Sequence, residues 1–382
     1  MTCDDFAQAI ADANPDSELA KRLSQFKNWY SQAGTPRVQA HGVYDAENRI
    51  YTLTLTQTSA ATPGQPIKQP SLIPVAMGLV GVDGRNINLH MEGQLDTVGH
   101  DTVLVLSEAS QTFTFVHVPV EPVPSLLRGF SAPVVLETEL SDDALFTLLS
   151  HDLDPFNRWE AAQKLALRRI LNAVHGNGHM ELDHRFIEAM RSVLRNPELD
   201  AAFKELVLTL PSEAYVAEQL DVVDPQRIHT ARETMKAQLA HALHEDWAWA
   251  FEHHQDNSGY SPDPISAGRR ALCNLALSML ALDGAARHNP IWTGRAYQRF
   301  KDATNMTDRL GALQALVHSH SELAAPALER FHEQFRNEAL VIDKWFTLQV
   351  TAPEKDGKVF ARAKTLLQHP DFTLRTPNRA RS

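Results

Sequence analysis

The hydrophobic period of the chain changes once along its length, and this change limits the folds that it can adopt. Between residues 35 and 140, apolar and polar residues alternate, as in RIYTLTLTQT, where Tyr51, Leu53 and Leu55 are separated by threonines. A period of two places the apolar side chains on one face of a β-strand. From Ser141 onward the apolar residues recur every three or four positions, which indicates helices. We therefore predict an α+β multidomain fold, in which a small antiparallel β-sandwich precedes an all-α superhelical (HEAT-like) domain.

The β part contains six or seven short strand candidates separated by Pro and Gly, which is typical of an Ig-like sandwich. One hairpin is predicted directly. The apolar run LIPVAMGLV is followed by Val82-Asp83-Gly84 and then by NINLHM, and an Asp-Gly pair favours a tight turn between antiparallel strands.

The helical part is predicted to consist of helical hairpins without a fixed repeat length. Its longest helix is expected to run from Asp224 to His254, with Asp224 as N-cap and Pro225 in the first turn. At about 100° per residue one face forms a core stripe. Asp246 falls on this face and weakens the prediction near its end. The apolar members of the stripe are Ile228, Ala231, Met235, Leu239, Ala242 and Ala250.

The end of this helix contains the segment HEDWA, which begins like the zinc-peptidase signature H-E-x-x-H. That signature places two histidines one helical turn apart on one zinc ion. Here the position four residues after His244 is Ala248, which has no ligand atom. His241 and His244 lie opposite the core stripe, so we expect both to face solvent. A fortuitous metal contact of His241 with Glu245 is the alternative.

No other catalytic constellation is present in the sequence. The second His-Glu pair, His332-Glu333, has Arg336 where a second zinc-binding histidine would stand. There is no Walker loop, no G-x-S-x-G elbow and no dinucleotide-binding glycine pattern. The 18 histidines are scattered without ligand spacing, and we interpret them as surface or core-edge residues.

The composition is that of a globular protein and excludes several classes. A formal net charge of −11 argues against a nucleic-acid-binding protein that neutralises phosphates. No apolar run approaches the length of a membrane span, and no signal peptide is evident at the start, so no membrane partner is expected. Two distant cysteines, Cys3 and Cys273, favour a reducing cytoplasm over a disulfide framework. We expect a cytoplasmic monomer.

Several long stretches resemble the C-terminal portion of bacterial aminopeptidase N, a zinc-dependent peptidase of the M1 family. They occur in the order of that family across essentially the whole chain. The stretches are MTCDDF at the start, NWYSQAGTP at 28–36, ATPGQPIKQP at 61–70, PVPSLLRGFSAPV at 122–134, FNRWEAAQ at 156–163, NMTDRLGAL at 305–313, DKWFTLQ at 343–349 and TPNRARS at 376–382.

The resemblance implies a division of the chain. Residues 1–34 would be the helical tail of a catalytic domain, residues 35–140 the Ig-like sandwich, and residues 141–382 the first part of a helical C-terminal domain. No closing helix is evident after TLRTPNRARS, so we expect the helical domain to be truncated.

The resemblance also implies what is missing. In the family the H-E-x-x-H motif, its downstream Glu ligand, a G-x-M-E-N stretch and a catalytic Tyr all lie upstream of the matching region. His-Met-Glu-Gly at 90–93 is not that motif. No catalytic or zinc-binding residue is therefore carried over. The full-length enzyme would use zinc to cleave N-terminal amino acids from peptides, with these domains covering the cleft. We expect the present chain to bind no metal and to be inactive alone.

Two further hypotheses concern surfaces. Arg379, with Asn378 beside it, is a candidate for binding a peptide carboxylate in the intact enzyme, because guanidinium groups pair with carboxylates; the alternative is a helix-capping or surface role. The apolar residues of the first thirty, Phe6, Ile10, Phe26 and Trp29, are expected to be uncovered.

A rival function belongs to another class. The chain could be a stand-alone binding module, in which the helical superhelix holds a peptide or protein partner on its concave face.

Overall fold

The computed structural model describes residues 1–93, 99–176, 180–255 and 259–382. They form two compact units, Met1–Leu165 and Ala166–Ser382. The prediction of an antiparallel sandwich followed by an all-helical part is confirmed. The first unit extends past residue 140 and includes the first helix of the helical part, whereas the boundaries predicted from sequence stay a prediction.

Four short helices precede the sandwich and pack onto it. Trp29 donates its indole N–H to the carbonyl of Leu72 at 2.9 Å, and Gln25 donates its amide to the carbonyl of Ser107 at 2.6 Å. The segment thus depends on the sandwich, as its small apolar content predicts. These helices are α1 (Cys3–Ala13), α2 (Glu18–Lys21), α3 (Leu23–Phe26) and α4 (Asn28–Ser31).

The sandwich consists of eight strands in two sheets. The first sheet has the order β6-β2-β1-β8, and in the second β3 pairs with β4, β5 and β7. The strands are β1 (Arg37–Asp45), β2 (Ile50–Thr58), β3 (Ile73–Gly81), β4 (Asn86–Ile87), β5 (Thr102–Leu106), β6 (Ser110–Phe115), β7 (Pro122–Leu126) and β8 (Val135–Thr138).

The sandwich core follows from the alternation in the sequence. Tyr51, Leu53 and Leu55 of β2 are buried, and the intervening threonines are half-buried. The predicted hairpin is present, since β3 pairs antiparallel with β4 across a turn in which Gly84 has φ +81°. One pairing differs from the expectation of an antiparallel sandwich: β8 runs parallel to β1. The alternation along β8 indicates a strand but not its direction, because parallel and antiparallel strands share the period of two.

A buried arginine joins the end of the sandwich to the helices that follow it. Arg128 lies in a 3-10 helix (Arg128–Phe130) after β7, and only 8% of it is exposed. Its guanidinium donates to the carboxylate of Asp152 at 3.1 Å and to the hydroxyl of Ser125 at 2.7 Å. Asp152 lies between α5 (Asp142–His151) and α6 (Pro155–His175). The connection between the two helices is therefore fixed to the sandwich by a buried ion pair.

Two backbone features make room for this ion pair. A Cβ atom on Gly78 of β3 would lie 2.2 Å from the guanidinium carbon, so any larger residue would displace Arg128. Leu127, which precedes Arg128, has the left-handed φ of +58° that is uncommon for residues other than glycine. The loop accepts this strain at the point where the guanidinium turns inward.

The second unit is entirely helical in the part of the chain that the structure describes. Ser212, Asp224, Asp263 and Asn305 cap helices with their side chains, as does Ser141 at the start of α5. After α6, which passes from one unit into the other, the helices are α7 (His184–Arg195), α8 (Ala201–Leu208), α9 (Glu213–Ala217), α10 (Pro225–Ala242), α11 (His244–His253), α12 (Pro264–Ala286), α13 (Ile291–Asp302), α14 (Met306–His318), α15 (Ala324–Phe335), α16 (Ala339–Val350), α17 (Lys358–Leu366) and α18 (Pro377–Arg381).

Among the described residues no helix has the length and apolar character needed to cross a membrane.

The Arg128–Asp152 pair generates the first prediction. Burial raises the pKa of Asp152 above its ordinary value, while its hydrogen bonds and Arg128 lower it. Arg128→Met leaves a carboxylate buried without its cation, which should lower the free energy of unfolding at pH 7 by about 3 kcal/mol. Without Arg128, burial should raise the pKa of Asp152 in the folded variant further above its pKa in the parent chain. The variant then takes up this proton first as the pH falls, so the loss of stability should be smaller at low pH. Urea unfolding at pH 7 and at pH 4 measures both values.

Arg37→Met is the matched control, because Arg37 is more than half exposed and its partner Glu137 is also exposed. It should change stability by less than about 1 kcal/mol. An equal loss for Arg128→Met at both pH values would show that Asp152 is not the group left unpaired.

The exposed face of α1 generates the second prediction. Phe6 is 57% exposed and Ile10 is 38% exposed, whereas Phe26 and Trp29 are half-buried, so the expectation that all four are uncovered is wrong for the latter two. The double substitution F6Q/I10Q should reduce aggregation in light scattering, because it removes adjacent apolar surface from water. Trp29→Gln should instead lower the thermal stability, since it loses the bond to Leu72. Unchanged scattering for F6Q/I10Q would rule out this face as the source of aggregation.

Candidate functional site

The histidine-rich segment that begins like a zinc motif lies at a break between two helices. The helix predicted from Asp224 to His254 is interrupted at Leu243, whose φ of −109° and ψ of 22° are not helical. Leu243 is fully buried, and it ends α10 and begins α11. The apolar period continues across the break, so the sequence pattern predicts one helix where the structure has two.

The break turns the second histidine inward. His244 is only 21% exposed at its side chain, and its Nδ1 atom lies 2.7 Å from a carboxylate oxygen of Asp283. The prediction that His244 faces solvent is therefore wrong, and the phase shift at Leu243 is the reason. His241 is 68% exposed, as predicted, and its Nδ1 atom lies 3.0 Å from the same carboxylate.

Asp283 is the centre of this cluster. Its side chain is 2% exposed, and besides both histidines it contacts the guanidinium of Arg287, which lies one turn further along α12, at 2.9 Å. Burial of a carboxylate is costly unless cations or donors surround it. His241 precedes HEDWA and His244 is its first residue. Both contact Asp283, and this carboxylate thus joins α10 and α11 to α12.

A catalytic zinc ion does not fit these residues. Ala248 offers no ligand atom, and Glu245, the residue in the position of the general base, is exposed. The carboxylate beside both histidines is Asp283 and not Glu245, so the alternative pairing of His241 with Glu245 receives no support from the geometry. Asp246, the polar residue in the predicted apolar stripe, is buried and accepts from Arg191 and Arg195 at 2.9 and 2.7 Å.

The second unit has a partly open cavity of about 570 Å³. Apolar residues of α12 and α14 form much of its wall, and Arg232, Lys236 and Lys344 bring positive charge to it. Glu233 pairs with Arg232 at 2.9 Å and with Lys236 at 3.8 Å, so one carboxylate offsets part of this charge.

Two titratable groups in the cavity wall have shifted pKa values. Burial lowers the pKa of Lys236, and the neighbouring Arg232 lowers it further while Glu233 opposes the shift. Burial also lowers the pKa of His318 to about 4, with a smaller contribution from Lys236. The Nε2 atom of His318 is buried without a hydrogen-bond partner. An apolar cavity with a few polar groups of shifted pKa has the usual character of a ligand pocket.

Arg379 and Asn378, the binding residues predicted from sequence, lie on α18 and have different surroundings. Asn378 is exposed. Arg379 is 9% exposed, and its guanidinium donates to the carboxylate of Asp343 and to the backbone carbonyls of Asp371 and Ala339. These bonds attach α18 to α16 and engage all three guanidinium nitrogens. A carboxylate-binding role for Arg379 stays a prediction, and its present bonds are structural.

Sequence reasoning missed Arg128, Lys236 and His318. Arg128 stands in PVPSLLRGFSAPV, where its apolar neighbours are the available signal of burial. Lys236 follows Met235 of the core stripe and has no such signal. His318 ends α14, and only the three-dimensional packing against α10 identifies it as a cavity residue.

Comparison with protein families assigns both parts of the chain. A family model described as a domain of unknown function (DUF3458_C) with ARM repeats matches residues 142–382, and one described as a domain of unknown function (DUF3458) with an Ig-like fold matches residues 34–139. The chain belongs to the DUF3458_C family. The ARM-type helices and the Ig-like sandwich agree with the fold class predicted from sequence.

Curated relatives identify the larger protein to which such a region corresponds. The chain is 39% identical over its whole length to aminopeptidase N of Escherichia coli, 38% identical to that of Caulobacter vibrioides and 33% identical to that of Haemophilus influenzae. It spans 42% of the length of each, and it corresponds to their C-terminal portion.

A solved structure of an aminopeptidase is similar to this chain in fold, and again over only part of its own length. The crystal structure of Legionella pneumophila aminopeptidase A in complex with aspartic acid matches 99% of this chain and 42% of its own, with a TM-score of 0.81 and 26% identity.

The cavity generates the third prediction. The pKa of His318 in the folded protein, about 4, lies below its ordinary value of 6.5, so the unfolded chain takes up the proton first as the pH falls. Stability should therefore be lost between about pH 6.5 and pH 4, by roughly 3 kcal/mol in total. His318→Gln cannot titrate and should remove most of this loss. Chemical unfolding at a series of pH values measures it.

His184→Gln is the control, because the side chain of His184 is 88% exposed. It should leave the pH dependence of stability unchanged. If His318→Gln retains the slope of the parent chain between pH 6.5 and pH 4, the acid sensitivity comes from another group.

Proposed function

We propose that this chain is the non-catalytic C-terminal part of a zinc-dependent aminopeptidase N, in which the Ig-like and helical domains cover the cleft where N-terminal amino acids are cleaved from peptides. The observation that carries the proposal is the similarity to three aminopeptidase N relatives, which extends over the whole of this chain but only 42% of each relative. We place the protein in the cytoplasm as a monomer.

The geometry of the histidine cluster supports the non-catalytic part of this proposal. A zinc peptidase needs two histidines one turn apart and a third ligand, with a position left open for water. In this chain His244 contacts a buried carboxylate, and Ala248 stands where the second histidine is required. The HEDWA segment therefore does not supply the ligands that the catalytic zinc ion of the full-length enzyme would need.

The alternative is a binding module that acts without a catalytic domain. The cavity of about 570 Å³ within the helical unit favours it, because ARM-type helical arrays bind peptides and proteins on their inner surfaces. The two proposals make different predictions for this chain when it is joined to the part of an aminopeptidase N that it does not match.

A chimera of the Escherichia coli relative tests the leading proposal. The portion of that enzyme that matches this chain is replaced by residues 1–382, and release of an amino acid from an aminoacyl reporter is measured with and without a zinc chelator. We expect chelator-sensitive activity from the chimera and none from the 382-residue chain alone. Zinc-dependent release by the chain alone would refute the proposal.

A size comparison tests the covering of the cleft. The control is the Escherichia coli enzyme from which the portion that matches this chain is deleted. The chimera and this control each receive a short peptide and a folded protein with the same N-terminal residues. If the proposed domains restrict access, the chimera should favour the short peptide more strongly than the control does. Equal preference in both proteins, with activity retained, would assign the domains another role and favour the binding module.

A further inference from the structure

Two histidines and one aspartate from separate segments meet near the end of the chain. His332 lies on α15, and His369 and Asp371 follow α17. The Nε2 atom of His332 is 2.8 Å from a carboxylate oxygen of Asp371, and the Nδ1 atom of His369 is 3.8 Å from the same oxygen. One ligand atom from each of the three residues lies within 4.8 Å of the others, and no other trio among the described residues meets this criterion.

We propose that His332, His369 and Asp371 bind a divalent transition-metal ion, with Zn²⁺ as the ion that their donors suit best. Two imidazole nitrogens and one carboxylate oxygen are the donor set that zinc commonly takes in proteins, with water in the fourth position. Bonds of about 2.0–2.1 Å to a tetrahedral ion place two ligand atoms about 3.3 Å apart. The observed separations of 2.8 and 3.8 Å lie on either side of that value.

The surrounding side chains hold the three donors in position. The ring of Trp345 lies 4.8 Å from that of His332 and 5.3 Å from that of His369, measured between centroids, and Phe346 packs against His369 at 5.6 Å. Arg379 donates to the backbone carbonyl of Asp371 and is thus a positioning residue. The donors are arranged in advance, so an ion would order little of the protein on binding.

Access to the site is consistent with an ion that exchanges with solvent. The side chains of His332 and His369 are 25% and 26% exposed, and that of Asp371 is 40% exposed. Two existing hydrogen bonds compete with metal binding: His332 Nε2 is bonded to the carboxylate of Asp371 at 2.8 Å, and the backbone N–H of Asp371 donates to Nδ1 of His369 at 3.2 Å. Coordination by these three atoms would replace both hydrogen bonds with bonds to the ion.

The sequence gives no sign of this site. His332 and His369 are 37 positions apart, and the only local pattern around His332 is the His-Glu pair, whose Glu333 takes no part in the trio. The site depends on the helix-to-helix packing of α15, α16 and α17.

The test uses the 382-residue chain after dialysis against EDTA. Calorimetric titration with Zn²⁺ should show one bound equivalent, and Co²⁺ should give the visible absorption of a tetrahedral ion. D371N and H369A should each weaken Zn²⁺ binding more than about 10-fold, because replacement even of residues that only orient a metal ligand has effects of that size. Thermal unfolding in EDTA verifies that both variants are folded.

H184A is the matched control, since His184 lies 3.6 Å from Glu188 and is an exposed histidine–carboxylate pair outside the trio. It should bind Zn²⁺ as the parent chain does. No bound equivalent in the folded parent chain, or binding that D371N and H369A leave unchanged, would overturn the proposal. Anomalous diffraction from Zn²⁺-soaked crystals of the parent chain gives an answer without any variant, because the peak must lie between the three residues.

Discussion

The arrangement of the first unit depends on one buried charge. Arg128 cannot leave the interior without exposing Asp152, and Asp152 cannot remain buried without Arg128. Because each charge alone would be costly in a region of low dielectric constant, the pair fixes the distance between the end of β7 and the loop between α5 and α6. The same loop continues the arrangement, since the backbone N–H of Gly129 donates to Asp154, which in turn accepts from the N–H of Asn157 in the first turn of α6. The first turn of α6 is thus attached to the end of the sandwich.

Four aspartates of the helical unit, two of them buried and two partly exposed, have a similar role. In each case an Asp on one helix accepts from Arg or His on another part of the chain, so that ionic contacts fix how the helices pack. Buried ion pairs contribute little net stability compared with apolar packing, but an aspartate that must meet its cation admits few alternative arrangements. These aspartates are Asp246 with Arg191 and Arg195, Asp283 with His241 and His244, Asp308 with Arg299, and Asp343 with Arg379.

The sequence predicted the parts of the structure that follow from a local period or a local cap. The alternation in β2, the Asp-Gly hairpin and the N-cap at Asp224 are all present, because each depends on residues that are near one another in the chain. The break at Leu243 was not predicted, since an apolar residue continues the helical pattern and the break serves the packing against α12. For the same reason the burial of His244 could not be inferred. Charge partners such as Asp283 lie about forty positions away, and a single sequence does not pair them.

The packing role of these charged residues explains why a chain rich in histidine and acidic residues lacks the chemistry that HEDWA suggests. HEDWA lacks a second ligand, because Ala248 has no donor atom, whereas a carboxylate contact at Nδ1 orients a histidine ring and leaves Nε2 available. His241 and His244 both contact Asp283 through Nδ1, and His241 also lies beside Arg287. Arg379 is bound to Asp343 and two backbone carbonyls. The trio of His332, His369 and Asp371 differs, because three possible ligand atoms lie close together and the side chains are partly open to solvent. Whether three donor atoms converge is decided by the packing of segments that are distant in the sequence, and the neighbours of a histidine along the chain do not show it.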